Sequence, residues 1–189
     1  MKVNLEFITP NAEESIGRYA GICYDASQEP SACIRRASKC ANDGHLATLR
    51  FAHAIFHVSE ISRICSHQFV RSKHLDFLQQ SQRYVNSLSN ELIYPDNGLQ
   101  NKYASAYSHA LNIYDELITS GVKKEDARFV LPAGITTELY VVGNLQAWRD
   151  FIHLRAEKHA QWEIRAVAIE INNQLAEHCP NLFKEIVIE

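Results

Sequence analysis

Apolar and polar positions divide this chain into short strands and longer helices. KVNLEFI, from Lys2 to Ile8, alternates weakly and predicts a first strand. NAEESIGRYAGICYDA, from Asn11, predicts a helix with Asn11 or Thr9 as its N-cap and Glu14 near its start. PSACIRRASKCANDGH predicts a second helix, opened by Pro30 and closed by Asn42-Asp43-Gly44. FAHAIFHV predicts a strand with Phe51, His53, Ile55 and His57 on one face. Ile61, Ile64, Cys65, Gln68, Phe69 and Ser72 then take up helical spacing, and that helix delivers Gln68 and Arg71 at its C-terminal end.

Further on, Pro95 to Gly98 predicts a turn. KYASAYSHALNIYDELITSG predicts a strong helix with Tyr103, Tyr107, Ala110, Leu111, Tyr114 and Leu117 on one face and Gly121 as its stop. KKEDARFVLP predicts a short helix ended by Pro132, and TTELYVVGN a strand. Two long helical patterns follow from Asn144 nearly to the C-terminus. Strands and helices intersperse without regular alternation, which predicts an α+β fold. No repeat or flexible linker interrupts the chain, so residues 1–189 are expected to form one domain.

The helical stretch LQAWRDFIHLRAEKHAQWEI changes the picture. Leu145, Trp148, Ile152, Arg155, His159 and Trp162 are spaced alternately three and four apart, which places them on one stripe. A stripe that faces the interior yet carries Arg155 demands an anionic or strongly polar partner, because a guanidinium does not give up its charge. Arg71, Lys73, Arg83 and Arg128 also stand in apolar context. The net charge is only −3, so these cations predict a local anion pocket and not a nucleic-acid-binding surface. A phosphorylated small molecule fits such a pocket, with Ser81 and the neighbouring glutamines as neutral donors.

Other features narrow the function. No apolar run is long enough to cross a bilayer and the N-terminus lacks a signal-peptide core, so the expected compartment is the cytoplasm. The five cysteines lack disulfide or zinc-ribbon spacing and are expected to be small buried hydrophobes. Cys65 and His67 form the closest local pair, but no second pair at ligand spacing supports a metal site. With seven glycines and neither a phosphate-binding Gly-rich loop nor a G-x-S-x-G elbow, the familiar nucleotide and hydrolase motifs are absent.

The residues resemble those of the flavin-dependent thymidylate synthases. That family's hallmark is Arg-His-Arg, seven residues, then Ser followed by Gln-Arg-Tyr or Gly-Arg-Tyr; here it reads Arg71-Ser72-Lys73, seven residues, Ser81, then Gln82-Arg83-Tyr84. ISRICSHQFVR resembles the helix leading into the motif, ARFVLP the family's Arg-x-x-Leu-Pro segment, GNLQAWRDFIHLRAEKHAQWEI its late helix, and GRYAGICYDA the start of its first helix. The resemblance implies a homotetramer with active sites assembled from several subunits. It implies FAD as cofactor, NADPH as reductant and methylenetetrahydrofolate as carbon donor to carbon 5 of dUMP, with no enzyme nucleophile. By motif position it implies that Gln68, Arg71, Ser81, Arg83, Arg128 and Arg155 hold dUMP, with Arg155 against the uracil ring as the catalytic residue. Arg71, Lys73, Asn144 and His159 are placed near the flavin in the same way.

Several positions depart from the family pattern. Ser72 and Lys73 replace the hallmark's His and second Arg, Arg50-Phe51 replaces a Glu-His pair, Asp150 stands where Asn or His is usual, and Gln79 where Glu is common. Lysine keeps the charge of arginine but loses its planar fork. Two readings therefore stand: a divergent synthase, extending to action on UMP or to hydroxymethyl transfer, and a pyrimidine-nucleotide binder with a regulatory or structural role that has lost the flavin chemistry.

Overall fold

The computed structural model describes residues 1–184. The last five residues of the expected domain therefore lie outside the described part. The elements run β1 (Lys2–Ile8), α1 (Ala12–Gly21), α2 (Pro30–Asn42), β2 (His53–Ser62), α3 (Arg63–Phe69), β3 (Leu75–Gln79), α4 (Gln100–Thr119), α5 (Lys124–Ala127), β4 (Thr136–Asn144), α6 (Leu145–Arg155), α7 (Trp162–His178) and α8 (Pro180–Phe183). Short 3-10 turns at 22–24, 46–51 and 128–130 join them. The fold is α+β.

One antiparallel sheet in the order β1-β2-β4-β3 organises these elements. Register places Val3 beside Val58, and Phe56 and Phe77 on either side of Val141. Ala54, Phe56, Val58, Leu139 and Val141 point to one buried face, where α3, α6 and α7 lie against them. Along α7, Ile164, Val167, Ala168, Ile171 and Leu175 keep the three-and-four spacing that buries one helical stripe. Trp148 of α6 fills the centre: it is fully buried, sits 4.9 Å edge-on from Phe56, and donates its indole N–H to the Ala54 carbonyl at 3.2 Å.

α1 and α2 form a second pair, packed against α8 and the 46–51 turn. They approach so closely that a Cβ on Gly17 would meet the Cys33 carbonyl oxygen at 1.8 Å. Pro30 opens α2 as expected, and Glu29 supplies its cap by accepting from the Ala32 N–H at 3.0 Å. Gly44, at φ 80, closes it.

The structure corrects several expectations. Asn11 precedes α1 with φ 48 and makes no side-chain cap, while the Thr9 hydroxyl bonds to the His53 carbonyl across the sheet. Phe51 belongs to the 46–51 turn, not to the strand face that carries His53, Ile55 and His57; its ring lies 5.7 Å from Tyr19. The stretch from Leu145 to Ile164 is two helices, not one. α6 ends at Arg155, Ala156 to Gln161 form a loop, and the Gln161 side chain caps α7 by accepting from the Glu163 and Ile164 N–H groups. His159 and Trp162 are therefore exposed, and off the buried stripe. Among the cysteines, Cys33, Cys65 and Cys179 are buried, Cys40 is half-buried and Cys23 is exposed. Among the described residues no helix is long and apolar enough to cross a membrane.

Trp148→Ala removes the largest fully buried side chain and is expected to cost about 3–5 kcal/mol. Denaturant unfolding followed by circular dichroism measures it; a loss below about 1 kcal/mol contradicts the central placement.

Candidate functional site

The chain leaves β2 at Ser62 and enters α3 at once. Ser62 is the N-cap, its hydroxyl oxygen accepting from the Cys65 N–H at 3.0 Å. The buried Glu163 carboxylate of α7 fixes the same residue twice, accepting from the Ser62 N–H at 2.7 Å and from its hydroxyl at 2.6 Å. At the other end of α3 the Gln68 carbonyl accepts from the Arg155 guanidinium at 3.3 Å. α3 is thus held at both ends by charged side chains of the α6–α7 layer.

Pinned this way, α3 forms one wall of a cleft of about 670 Å³. Arg63, Ser66, His67 and Gln68 line it, facing Gln79 at the end of β3, Gln82, and the Leu131–Ala133 segment. Gln79 donates to the Ser66 hydroxyl at 2.9 Å and to the Thr137 hydroxyl at 3.1 Å, which ties β3 and β4 to α3. The Gln82 amide nitrogen is buried without a hydrogen-bond partner among the described residues, as are one terminal nitrogen of Arg63 and Nε of Arg155. Unpartnered donors of this kind are uncommon in folded proteins and mark places where an acceptor belongs.

The expected site residues fall into separate groups. Gln68 lines the large cleft, and Arg155 reaches it through the Gln68 carbonyl. Arg83 and Arg128 meet at Glu125: Arg83 binds the carboxylate at 2.8 Å, and Arg128 Nε donates to the backbone carbonyl at 3.1 Å. Arg83 also lies 5.6 Å over the Tyr84 ring. Arg71 and Lys73 are exposed on the turn between α3 and β3, and Arg83 is exposed as well. The apolar context of these three in the sequence does not bury them within one chain, because the turn and the loop after edge strand β3 run on its surface. The Ser81 hydroxyl accepts from the Arg83 N–H at 3.2 Å and so shapes that loop.

Asn144 caps α6, accepting from the Ala147 N–H at 2.9 Å. It borders a small polar hollow of about 140 Å³ with Arg50, His74, Gln146 and Asp150. Arg50 donates to the Gln146 side-chain amide oxygen at 2.8 Å, and His74 is held at φ 63. His159 borders neither cavity.

The sequence does not single out Arg63, Glu163 or Glu125, whereas Gln82 is one of the glutamines beside Ser81 expected as neutral donors. One signal was available: Arg63, Ser66, His67 and Val70 recur at helical spacing on the opposite side of α3 from Cys65 and Phe69.

Comparison with known proteins adds the decisive observation. The model of the family described as thymidylate synthase complementing protein matches residues 4–181, nearly the whole chain. The chain belongs to that family. Members similar to it include a flavin-dependent thymidylate synthase of Corynebacterium efficiens, 31% identical over 93% of this chain and 80% of that protein. A protein of the same name from Mycobacterium avium is 35% identical over 77% of this chain and 66% of its own length. Another, from Pyrococcus furiosus, is 35% identical over 70% of this chain and 58% of its own. The family is one of enzymes.

Two of the buried thiols are poor nucleophiles. Burial pushes the Cys65 thiol far above its ordinary range, with Glu163 adding to it, and burial pushes Cys179 up to about 12. Neither offers a thiolate at neutral pH. In native protein at pH 8 a chromogenic disulfide reagent should titrate Cys23 rapidly, and Cys65 and Cys179 only after unfolding; fast native labelling of Cys65 contradicts its placement. Glu163→Gln removes the charge from two short hydrogen bonds to Ser62, and should lower unfolding free energy by about 2–3 kcal/mol in the same denaturant assay.

Proposed function

We propose that the chain is a flavin-dependent thymidylate synthase that converts dUMP to dTMP, with FAD as cofactor, methylenetetrahydrofolate as carbon donor and NADPH as reductant. The observation that carries this reading is the α3 cleft, in which Gln68, the unpartnered Gln82 amide and the Arg63 guanidinium converge, with Arg155 bonded to the Gln68 carbonyl. The name shared by the relatives supports the catalytic reading over that of a binder without chemistry.

In this reading Arg155 does the chemistry. It is half-buried, has its Nε buried without a partner among the described residues, and is oriented by a hydrogen bond to the Gln68 carbonyl. A guanidinium so held stabilises negative charge developing on the uracil ring, and pre-oriented donors in dry sites are each worth about 3–4 kcal/mol. Gln68, Ser81 and Arg128 bind and orient the nucleotide. Arg83 joins them after exchanging Glu125 for phosphate. The two groups, Arg155 with Gln68 and Arg83 with Arg128, belong to one site when copies of the chain assemble, which is why a homotetramer of single-domain subunits is part of this proposal. The cytoplasm is its compartment.

The hollow beside α6 fits the anionic part of a flavin dinucleotide: Arg50, His74 and Gln146 offer donors at the N-terminus of an 11-residue helix. Its 140 Å³ holds that part alone. Asn144 would support it from the helix cap, with Arg71, Lys73 and His159 as the remaining cofactor contacts. When bound and reduced, the flavin supplies the hydride that completes the methyl group.

Purified protein should show oxidised-flavin absorbance and release tritium from dUMP labelled at carbon 5 when folate donor and NADPH are added. Arg155→Ala should lower that release about 100-fold or more without unfolding the protein, and Arg83→Ala should raise KM for dUMP about tenfold. Unchanged kinetics in both variants reject the site.

A further inference from the structure

We propose that Gln161 is a positioning residue of the α3 cleft: it fixes the side-chain amide of Gln68 before the nucleotide arrives, a role that rests on the reading of Gln68 as a nucleotide ligand. Gln68 is held twice, from the two ends of one loop. Arg155, the last residue of α6, donates to its backbone carbonyl at 3.3 Å. Gln161, the residue before α7, accepts from its side-chain amide nitrogen at 3.4 Å. The connection between α6 and α7 thus sets both the main chain and the side chain of one cleft residue.

The direction of the Gln68–Gln161 bond follows from what else Gln161 does. Its side-chain oxygen also accepts from the Glu163 and Ile164 N–H groups, at 3.1 and 3.2 Å, and so caps α7. An atom that takes backbone N–H groups is the carbonyl end of the amide, which only accepts. Gln68 therefore turns its NH2 group toward it. One Gln68 N–H is committed in this way, and its other N–H and its carbonyl oxygen are left for a ligand in the cleft. A glutamine side chain left free rotates and presents either end of its amide, so a ligand that binds it must first order it. Gln161 removes that cost. Glu163 of the same helix grips Ser62 at the opposite end of α3, which keeps the cap and the residue it holds in a constant relation.

Calorimetric titration of the purified holoprotein with dUMP tests this directly. Serine and asparagine are good N-caps, but both are shorter than glutamine and do not reach Gln68. Gln161→Ser and Gln161→Asn should therefore keep the wild-type unfolding midpoint while weakening dUMP binding about fivefold. In a Gln68→Ala background the same substitutions should change affinity by about twofold at most, because the residue they act through is gone. Comparing the two backgrounds cancels any general loss of stability. A loss of equal size in both overturns the proposal. Unchanged affinity in Gln161→Ser and Gln161→Asn, while Gln68→Ala weakens binding, also overturns it and leaves the cleft assignment standing. If Gln68→Ala itself leaves dUMP binding unchanged, the reading of Gln68 as a ligand falls, and this proposal with it.

Discussion

The grip of Glu163 on Ser62 is the interaction on which the site depends. A buried carboxylate from α7 satisfies the N–H and the hydroxyl of the residue that ends the longest strand and caps α3. Charge-assisted hydrogen bonds in a buried setting are strong and directional, and leaving any member unpaired is costly. The path of the chain from sheet to helix is therefore fixed at this point. Arg155 completes the arrangement from α6 by binding the carbonyl at the far end of α3. The helix that presents Arg63 and Gln68 is short, and a helix of seven residues has little stability of its own. Its position comes from these two charged contacts and from Cys65 and Phe69, which are buried beneath it.

Much of the scaffold was legible because its periodicities are clean. KVNLEFI, FAHAIFHV and TTELYVVGN predict three of the four strands among the described residues; the last two alternate with little interruption, and KVNLEFI only weakly, with Val3 its buried position. β3 was not recognised, although LDFLQ does alternate: Leu75 is buried and Phe77 half-buried, while Asp76 and Leu78 are exposed. Five residues in a run of cations and glutamines give too weak a signal, and an edge strand needs only one apolar face. The false continuity from Leu145 to Ile164 has a different cause. Helical spacing extended across Ala156 to Gln161 by coincidence, while Gln161 carried a capping signal that belongs to a new helix.

The site was legible in its identity more than in its geometry. Gln68 and Arg155 meet, as an anion pocket requires. Arg83 finds a carboxylate within its own chain, and a single sequence cannot show that Glu125 stands 42 positions away yet within reach. The family departures also acquire physical content. Lys73 is exposed and so keeps its charge without needing a fork in this chain, whereas the Ser72 hydroxyl is buried without a partner among the described residues. Gln79 uses both of its N–H bonds on Ser66 and Thr137, which makes it a brace between the cleft wall and the sheet. Arg50 occupies the place of the missing acidic residue and turns toward Gln146, adding positive charge to the hollow beside α6.

A crystal structure of the assembled protein with dUMP tests the central claim most directly. The account places the nucleotide in the cleft along α3, its phosphate oxygens within about 3.2 Å of the Arg83 and Arg128 guanidiniums and its pyrimidine against Arg155. A nucleotide bound away from α3, with Arg83 still on the Glu125 carboxylate, would contradict it.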